Sequence, residues 1–388
     1  MTDLLFFWLP AILLLHSYIA FPAVLAILAR RKRDNTIFYN QTDELPTVSV
    51  VISVYNEEKS IVKRIHNIYA SCYPVEKLEV WVGSDGSTDR TNQLLKLLQK
   101  RYPSLFCIFS GQRQGKSQML NRLAAKTKNE ILIFSDAKVL FSPQAIFQLT
   151  KHFRNGSIGM VGGNIVSHET RQDGISIQEN RFMSREISIK HNEGKLWGTV
   201  MGAYGACYAI RRNLYSNIPD GFSVDDFYVT LRTEEQGYKV IMEVNALCYE
   251  PVPNLMNEEF RRKVRISVGN FQNIVAFSHL LKKINPLSFC LFSHKLLRWS
   301  GPFLLIILFI YNLLIISQTP FFTFTFTFQA LLMYIPALDF FLQKIRIHII
   351  PLRFVTHFYS MNLALLIGFI KYTKGIKTNV WEPTIREY

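Results

Sequence analysis

Charge is scarce in this chain of 388 residues. Asp, Glu, Lys and Arg make up 19% of it and apolar residues 49%. A disordered or fibrous polypeptide needs the opposite balance. Cysteine is scarce as well: five stand at 72, 107, 207, 248 and 290, and no two are close enough for a CxxC metal or redox motif. An odd, unpatterned set suits a reducing compartment and buried, inert thiols. There is no Gly-x-x-x-x-Gly-Lys-Ser/Thr loop, which argues against an ATPase, and no internal repeat. Asp339 is the only acidic residue inside the later apolar runs, too little intramembrane polarity for a transporter.

Basic excess is also missing from the middle of the chain. The formal charge is +15, yet residues 35–257 hold 25 basic and 22 acidic side chains. A nucleic-acid surface needs basic residues striped across the folded body, so no nucleic-acid partner is expected. The excess lies in residues 29–34, 258–298 and 343–388, with 4, 8 and 7 Lys/Arg against 1, 2 and 2 acidic residues. These segments flank apolar runs, where basic charge sets topology and meets anionic membrane lipids.

The apolar runs are Leu4–Ala29, Trp299–Ile316, Pro320–Leu342 and Phe354–Ile370. A cleaved signal peptide carries its charge before the run. Here Arg30-Arg31-Lys32-Arg33 comes after it. Residues 1–30 are therefore expected to be an N-terminal transmembrane helix, long enough for a hydrocarbon core of ~30 Å. The basic cluster places the chain beyond it in the cytoplasm. About three transmembrane helices are expected in 296–372. Thr323–Phe328 alternates Thr and Phe, which alone reads as strand. An isolated strand cannot satisfy its backbone in lipid, so helix is expected. Residues 255–283 place Phe260, Val264, Val268, Phe271 and Val275 on one face, with Arg261, Arg262, Lys263 and Arg265 at the start. This predicts amphipathic interfacial helices over 256–295, with a plain surface helix of the soluble domain as the alternative, and 373–388 form a C-terminal tail.

Between the runs, strand and helix patterns alternate. Strands are expected at Thr47–Ser53, Leu78–Ser84, Leu105–Phe109 and Ile131–Ser135. Helices are expected over Ser60–Tyr69, from a Ser87 cap to about Lys100, over Lys116–Ala125, and from a Ser142 cap with Pro143 in the first turn. Such alternation predicts an α/β domain over 45–255 built on a parallel sheet, with ligands at the carboxyl ends of the strands. Those ends are polar and acidic: Val54-Tyr55-Asn56-Glu57-Glu58, Gly83 to Asp89, and Ser135-Asp136-Ala137-Lys138. Each alone is ordinary turn chemistry. Together they suit a nucleotide diphosphate. Asp85 can accept from a base N–H, Lys116 offers a cation, and Asp136 offers oxygen to a hard cation.

The motifs Ser53–Glu58, Ser84–Asp89, Gly115–Asn121, Ser135-Asp136, Gly202–Arg212, Asp225-Asp226 with Gly237-Tyr238, Arg262–Gly269 and Trp381–Arg386 occur in one order. In that order the chain resembles a membrane-bound, inverting family 2 glycosyltransferase with a GT-A type catalytic domain. The resemblance implies that Tyr55, Glu57 and Asp85 hold the nucleoside, with uridine expected, and that Lys116 and Arg262 approach the diphosphate. It implies Asp136 on a Mg2+ or Mn2+ ion, Asp226 as general base beside Asp225, and Arg265 stabilising the leaving group. The implied partners are a nucleotide-sugar donor and a lipid-linked or saccharide acceptor, at a cell inner membrane with the catalytic domain cytoplasmic. A processive polysaccharide synthase and an inactive nucleotide-sugar-binding protein are the rival readings.

Two positions depart from the family pattern. Lys138 stands where a second metal carboxylate is usual, which predicts weak metal affinity or a direct lysine–phosphate pairing. Ile266 stands where a tryptophan follows the arginine, which removes a flat face for an acceptor sugar. His66, His168 and His191 share no spacing and are expected to be solvated or core residues. Trp197-Gly198 and Gly202–Ala206 either line the acceptor pocket or pack under the sheet. Ser293-His294-Lys295 with Arg298-Trp299 is read as an interfacial anchor. Four spans would put the C-terminus outside, whereas Trp381–Arg386 resembles a segment facing the cytoplasmic site. One apolar run is therefore expected to be re-entrant or interfacial.

Overall fold

The computed structural model describes residues 2–167, 174–251 and 254–375. Helix α1 (Thr2–Leu15) continues through a π-helical turn at His16–Ala20 into α2 (Phe21–Ala29). Then come β1 (Val48–Val54), α3 (Ile61–Tyr69), β2 (Leu78–Asp85), α4 (Thr91–Arg101), β3 (Leu105–Ser110), α5 (Lys116–Lys126), β4 (Ile131–Ser135), β5 (Leu140–Phe141) and α6 (Ala145–Thr150). They are followed by β6 (Ile158–Ser167), α7 (Ser176–Trp197), β7 (Cys207–Arg211), α8 (Asp225–Glu235) and β8 (Lys239–Glu250). The remaining helices are α9 (Met256–Ala276), α10 (Pro286–Cys290), α11 (Leu297–Trp299), α12 (Gly301–Leu314), α13 (Pro320–Lys344) and α14 (Ile350–Thr373). His168 and the Trp381–Arg386 motif lie outside the described residues.

Two compact units share these elements. One holds residues 28–167 and 183–251 and contains a single mixed sheet of eight strands in the order β3-β2-β1-β4-β7-β6-β8-β5. The four strands expected from the sequence are all present, and they run parallel. The apolar, β-branched runs of the central strands β1 and β4 are buried on both faces, as a sheet covered by helices requires. Val48, Val50, Val51 and Ile52 are inaccessible in β1, and Ile61, Ile65 and Ile68 of α3 are inaccessible too. Each such side chain contributes roughly 1.5–3 kcal/mol of burial. Strand β7 then pairs antiparallel to β4, with Ser135 opposite Cys207. That reversal brings residues 199–206, just before β7, to the carboxyl end of β4.

Two helix starts differ from the sequence expectation. Helix α4 begins at Thr91 rather than near Ser87. The Ser87 hydroxyl accepts from Asn56 N (3.1 Å) and from Ser84 Oγ (2.8 Å), while Asp89 Oδ1 accepts from Thr91 N (2.9 Å). Ser87 thus ties two loops together, and the aspartate takes over the start of the helix. Likewise α6 begins at Ala145, after Ser142-Pro143 closes a turn in which Ala145 N donates to Ser142 O (3.0 Å).

The other unit holds residues 2–27, 174–182 and 254–375. The helical rod Asp3–Ala29, α13 and α14 are each long and apolar enough to cross a membrane. Residues Pro286–Trp299 and Gly301–Leu314 form a pair bent by 60°, a broken span or a re-entrant loop. The Thr/Phe alternation lies inside α13, in helix. Helix α9 packs on α14: Ser267 Oγ donates to Leu365 O (3.0 Å), and Phe271 meets Phe369 edge-on with centroids 5.0 Å apart. Val264 and Val268 are buried at that seam, whereas Val275 at the end of α9 is 58% exposed. Phe6 stacks on Tyr311 (4.7 Å) between α1 and α12. Ser293, His294 and Lys295 are buried, and His16 Nε2 meets Ser293 Oγ at 2.9 Å.

Candidate functional site

The parallel strands β1, β2 and β4 end side by side, so the segments after them gather at one edge. The loops after β1 and β2 are laced together. Thr88 N donates to Asn56 Oδ1 (2.8 Å), Glu57 N to Thr91 Oγ1 (2.9 Å) and Glu58 N to Asp89 Oδ2 (3.1 Å). Asn56 takes a left-handed φ of 53°, a conformation asparagine tolerates better than most residues.

Asp85, at the end of β2, is buried and engaged at both oxygens. Oδ1 accepts from Gln114 N and Oδ2 from Gly115 N, each at 2.8 Å. Gly115 sits at φ +97°, which a side chain would strain, and this turn aims its amide at the carboxylate as α5 begins. Asp85 therefore pins the loop that presents Lys116, and each of its oxygens keeps a further lone pair. Tyr55 is half-buried, with the Arg113 guanidinium over its ring at 3.8 Å. Glu57 accepts from Ser60 Oγ (2.5 Å) and faces Lys138 Nζ at 3.9 Å. Burial pushes its carboxyl up, against the Ser60 hydrogen bond and Lys138. Lys138 thus sits against the end of β1.

The acidic centre has four members. Lys116 Nζ donates to Asp136 Oδ1 at 2.9 Å and stands 3.7 Å from Asp225 Oδ2. Burial alone would pull this ammonium down, but Asp136 and Asp225 outweigh it and hold the group above its ordinary value. Asp226 comes next in the first turn of α8. Its Oδ1 accepts from Phe227 N (2.8 Å) and its Oδ2 from Gly205 N (2.6 Å). Burial, and next the neighbouring Asp225, push the Asp226 carboxyl up to about 6, against Lys116 and Lys190. An acid so tuned is a carboxylate near neutral pH that still takes up a proton readily, which suits general-base work.

No group of three or more His, Cys, Asp or Glu side chains converges as a metal site among the described residues. The donor chemistry nevertheless fits a hard divalent ion. Asp136 and Asp225 converge on one cationic atom, and Mg2+ often takes only one or two carboxylates besides substrate phosphates. His66 meets the Tyr102 hydroxyl at 2.6 Å, and His191 faces Asp34 at 3.4 Å. The two serve separate local contacts.

Arg262 and Arg265 belong to α9 in the helical unit. Arg262 Nη1 pairs with both Glu259 oxygens at 3.2 Å, and Arg265 is half-buried. Some contributors carried no sequence signal. Arg64 is fully buried under the end of β4, donating to Ser135 Oγ (2.9 Å), and Ser135 Oγ donates to Ala206 O (2.7 Å). Lys190 of α7 lies 3.6 Å over the Tyr204 ring. Glu234 of α8 is buried near the end of the same helix as Asp226.

A mixed sheet whose parallel half ends in acidic loops, with an acidic pair opening a helix beyond the reversed strand, defines a GT-A type domain. Residues 49–218 match the family model described as Glycosyl transferase family 2. That match covers less than half of the chain and supports a family 2 glycosyltransferase domain. The chain is 24% identical over 279 residues to the beta-monoglucosyldiacylglycerol synthase of Synechocystis sp., covering 68% of this chain and 57% of that protein. It is 23% identical over 256 residues to the poly-beta-1,6-N-acetyl-D-glucosamine synthase of Staphylococcus aureus, covering 64% and 61%. The match thus spans less than two thirds of these relatives. In fold, the chain is similar to a mannosyltransferase from Pyrobaculum calidifontis solved with GDP-Man and Mn2+, with a TM-score of 0.72, 21% identity and coverage of 95% and 99%.

Proposed function

We propose that this protein is an inverting glycosyltransferase. It moves a sugar from a nucleotide donor, a UDP-sugar, to a membrane-associated acceptor, with Asp226 as general base. The observation that carries this reading is the convergence of Asp136, Asp225 and Lys116 at the sheet edge, next to a carboxyl tuned to about 6. Asp226 accepts the proton of the acceptor hydroxyl as its oxygen attacks the anomeric carbon. A single displacement on the face opposite the nucleotide inverts that centre. Lys116 places a positive charge where the diphosphate leaves. Tyr55, Glu57 and Asp85 recognise the nucleoside. A Mg2+ or Mn2+ ion held by Asp136 and Asp225 would neutralise diphosphate charge.

The likeness to a glucosyldiacylglycerol synthase supports a lipid acceptor, and Ile266 supports short products. The Staphylococcus synthase keeps the processive reading as the alternative. The Arg30–Arg33 cluster after an apolar helix supports a cytoplasmic catalytic domain at the inner membrane. The test is nucleotide release by purified full-length protein with each of UDP-glucose, UDP-galactose, UDP-N-acetylglucosamine and GDP-mannose, with membrane lipid as acceptor. Release with one UDP-sugar and a labelled lipid product supports the reading. Release with GDP-mannose alone overturns the donor, and a large polysaccharide from donor alone overturns the acceptor.

A further inference from the structure

Segment 199–206 is hung along one face of the helix that carries Asp226. Asp226, Thr230 and Glu234 recur every four residues on α8, so they line a single face. Each accepts a backbone amide of the segment. Val200 N donates to Glu234 Oε1 (2.6 Å), Ala203 N to Thr230 Oγ1 (3.0 Å) and Gly205 N to Asp226 Oδ2 (2.6 Å). The Thr199 hydroxyl adds a second donor to Glu234 Oε1 (2.8 Å), and Met201 N donates across to Glu193 Oε2 of α7 (3.1 Å). Thr230 in turn donates to the Asp226 carbonyl (2.7 Å). These are not surface contacts: Glu193, Thr230, Val200 and Met201 are inaccessible, and Glu234 is 9% exposed.

Glycines make the close approach possible. Gly202 turns at φ +81°, and a Cβ there would come within 2.5 Å of the Phe227 ring; at Gly205 it would come 3.2 Å from Asp226 Oδ2. The segment therefore lies flat on α8. Its last rung holds one oxygen of the base, and its first rung is a glutamate two turns away.

We propose that Glu234 is a positioning residue for the transfer reaction: by holding Thr199 and Val200 it fixes the strap whose Gly205 amide sets the Asp226 carboxylate. This rests on Asp226 being the base. Glu234 never touches substrate in this scheme. It removes slack from a hydrogen-bonded ladder, and small displacements of a reacting group are expensive: a shift of about 1 Å can lose on the order of 10²-fold in rate. The ladder asks only for an acceptor at Oε1. Glutamine supplies one, leucine does not. Burial pushes the Glu234 carboxyl up to about 8, so a neutral side chain there is compatible with the fold.

The experiment compares Glu234→Gln, Glu234→Leu and Thr230→Val in full-length protein. It measures kcat and donor KM with the fastest UDP-sugar of the donor screen, UDP affinity by titration, and amide exchange over 199–206. The expected result is a fall of kcat on the order of 10²-fold in Glu234→Leu, with UDP affinity retained, faster exchange at 200–205, and rescue by Glu234→Gln. Thr230→Val, which removes the middle rung, moves the same way and serves if Glu234→Leu does not fold. A folded Glu234→Leu or Thr230→Val protein with unchanged kcat overturns the proposal, as does a Glu234→Gln protein as damaged as the leucine variant. Asp226→Asn, measured alongside, separates the two readings. Full activity there removes the base, whereas a dead Asp226→Asn beside an unaffected Glu234→Leu removes only the strap.

Discussion

Lys116 Nζ lies 2.9 Å from Asp136 Oδ1, joining the start of α5 to the end of β4 across the sheet edge. The pair is about two-fifths exposed on each side, with Asp225 3.7 Å from the same ammonium. One cation serving two carboxylates leaves charge to offer an anionic ligand only if the ligand competes for it. An anionic ligand that took Lys116 would therefore be linked directly to the acidic centre.

Lys116→Gln should weaken UDP binding by roughly 10-fold or more, the scale of one lost hydrogen bond to a charged group. Lys116→Arg should keep part of it. Titration calorimetry on the two variants checks this. An unchanged UDP affinity in Lys116→Gln would confine the lysine to pairing with the carboxylates.

Asp226→Asn should lower transfer by ~10²–10⁴-fold while UDP still binds. The pH profile adds a sign. The base must be unprotonated, and its carboxyl is pushed up to about 6 by burial and by Asp225. The kcat/KM of the native enzyme should therefore be level above that pH and fall about tenfold per unit below it. A flat profile down to about pH 4.5 would count against Asp226.

Much of this site could be read from residue order alone. Asp85, Asp136 and Lys116 come after apolar β-branched runs, and a parallel sheet puts such positions at one edge. What could not be read depends on pairings distant in sequence. Nothing local in Cys207–Arg211 says that it runs antiparallel to β4, and that reversal delivers residues 199–206 to Asp226. Helix α7 is polar all round, with Glu179, Glu186, Lys190 and Glu193, and has no apolar face to announce burial; yet all four are buried. Glu234 precedes Glu235, Gln236 and Gly237 and looks like an exposed helix end. Only the fold of residues 199–206 onto α8 encloses it. Ser87 reads as a helix cap until Asn56 claims its hydroxyl.

Glu234 should also leave a mark on stability. Its carboxyl is pushed from the ordinary 4.5 up to about 8, by burial first and with Glu193 adding, against the Val200 and Thr199 hydrogen bonds. Between those two values the folded protein keeps a proton that the unfolded chain has lost, so stability falls as pH rises through that window. Glu234→Gln has no proton to lose. Its advantage over the native protein should grow from about pH 5 to about pH 8 in thermal unfolding and then level off. A constant difference across that range would mean that Glu234 ionises at its ordinary value.

The helical unit has its own buried charge cluster. Glu179, 2% exposed, accepts from Lys263 Nζ at 2.7 Å and meets His357 Nε2 at 3.1 Å. Lys263 also reaches Glu259 at 3.2 Å, and Arg262 closes the group on Glu259. Burial alone would raise the Glu179 carboxyl, but Lys263 and His357 outweigh it and hold it well below the usual range. Its contribution is therefore fully present above the ordinary carboxylate value and is lost progressively as pH falls below it, until the folded group is protonated too. The contact joins the first turns of α7 to α9 and α14, so its loss should loosen three helices at once. Removing one partner of a buried pair leaves the others uncompensated and costs about 3–5 kcal/mol. Glu179→Ala should therefore lower the unfolding temperature in detergent sharply, and Glu179→Gln less. In a double-mutant cycle, Glu179→Gln with His357→Gln should show a coupling of about 0.5–3 kcal/mol. Additive effects would mean that the histidine and the glutamate stabilise their helices independently.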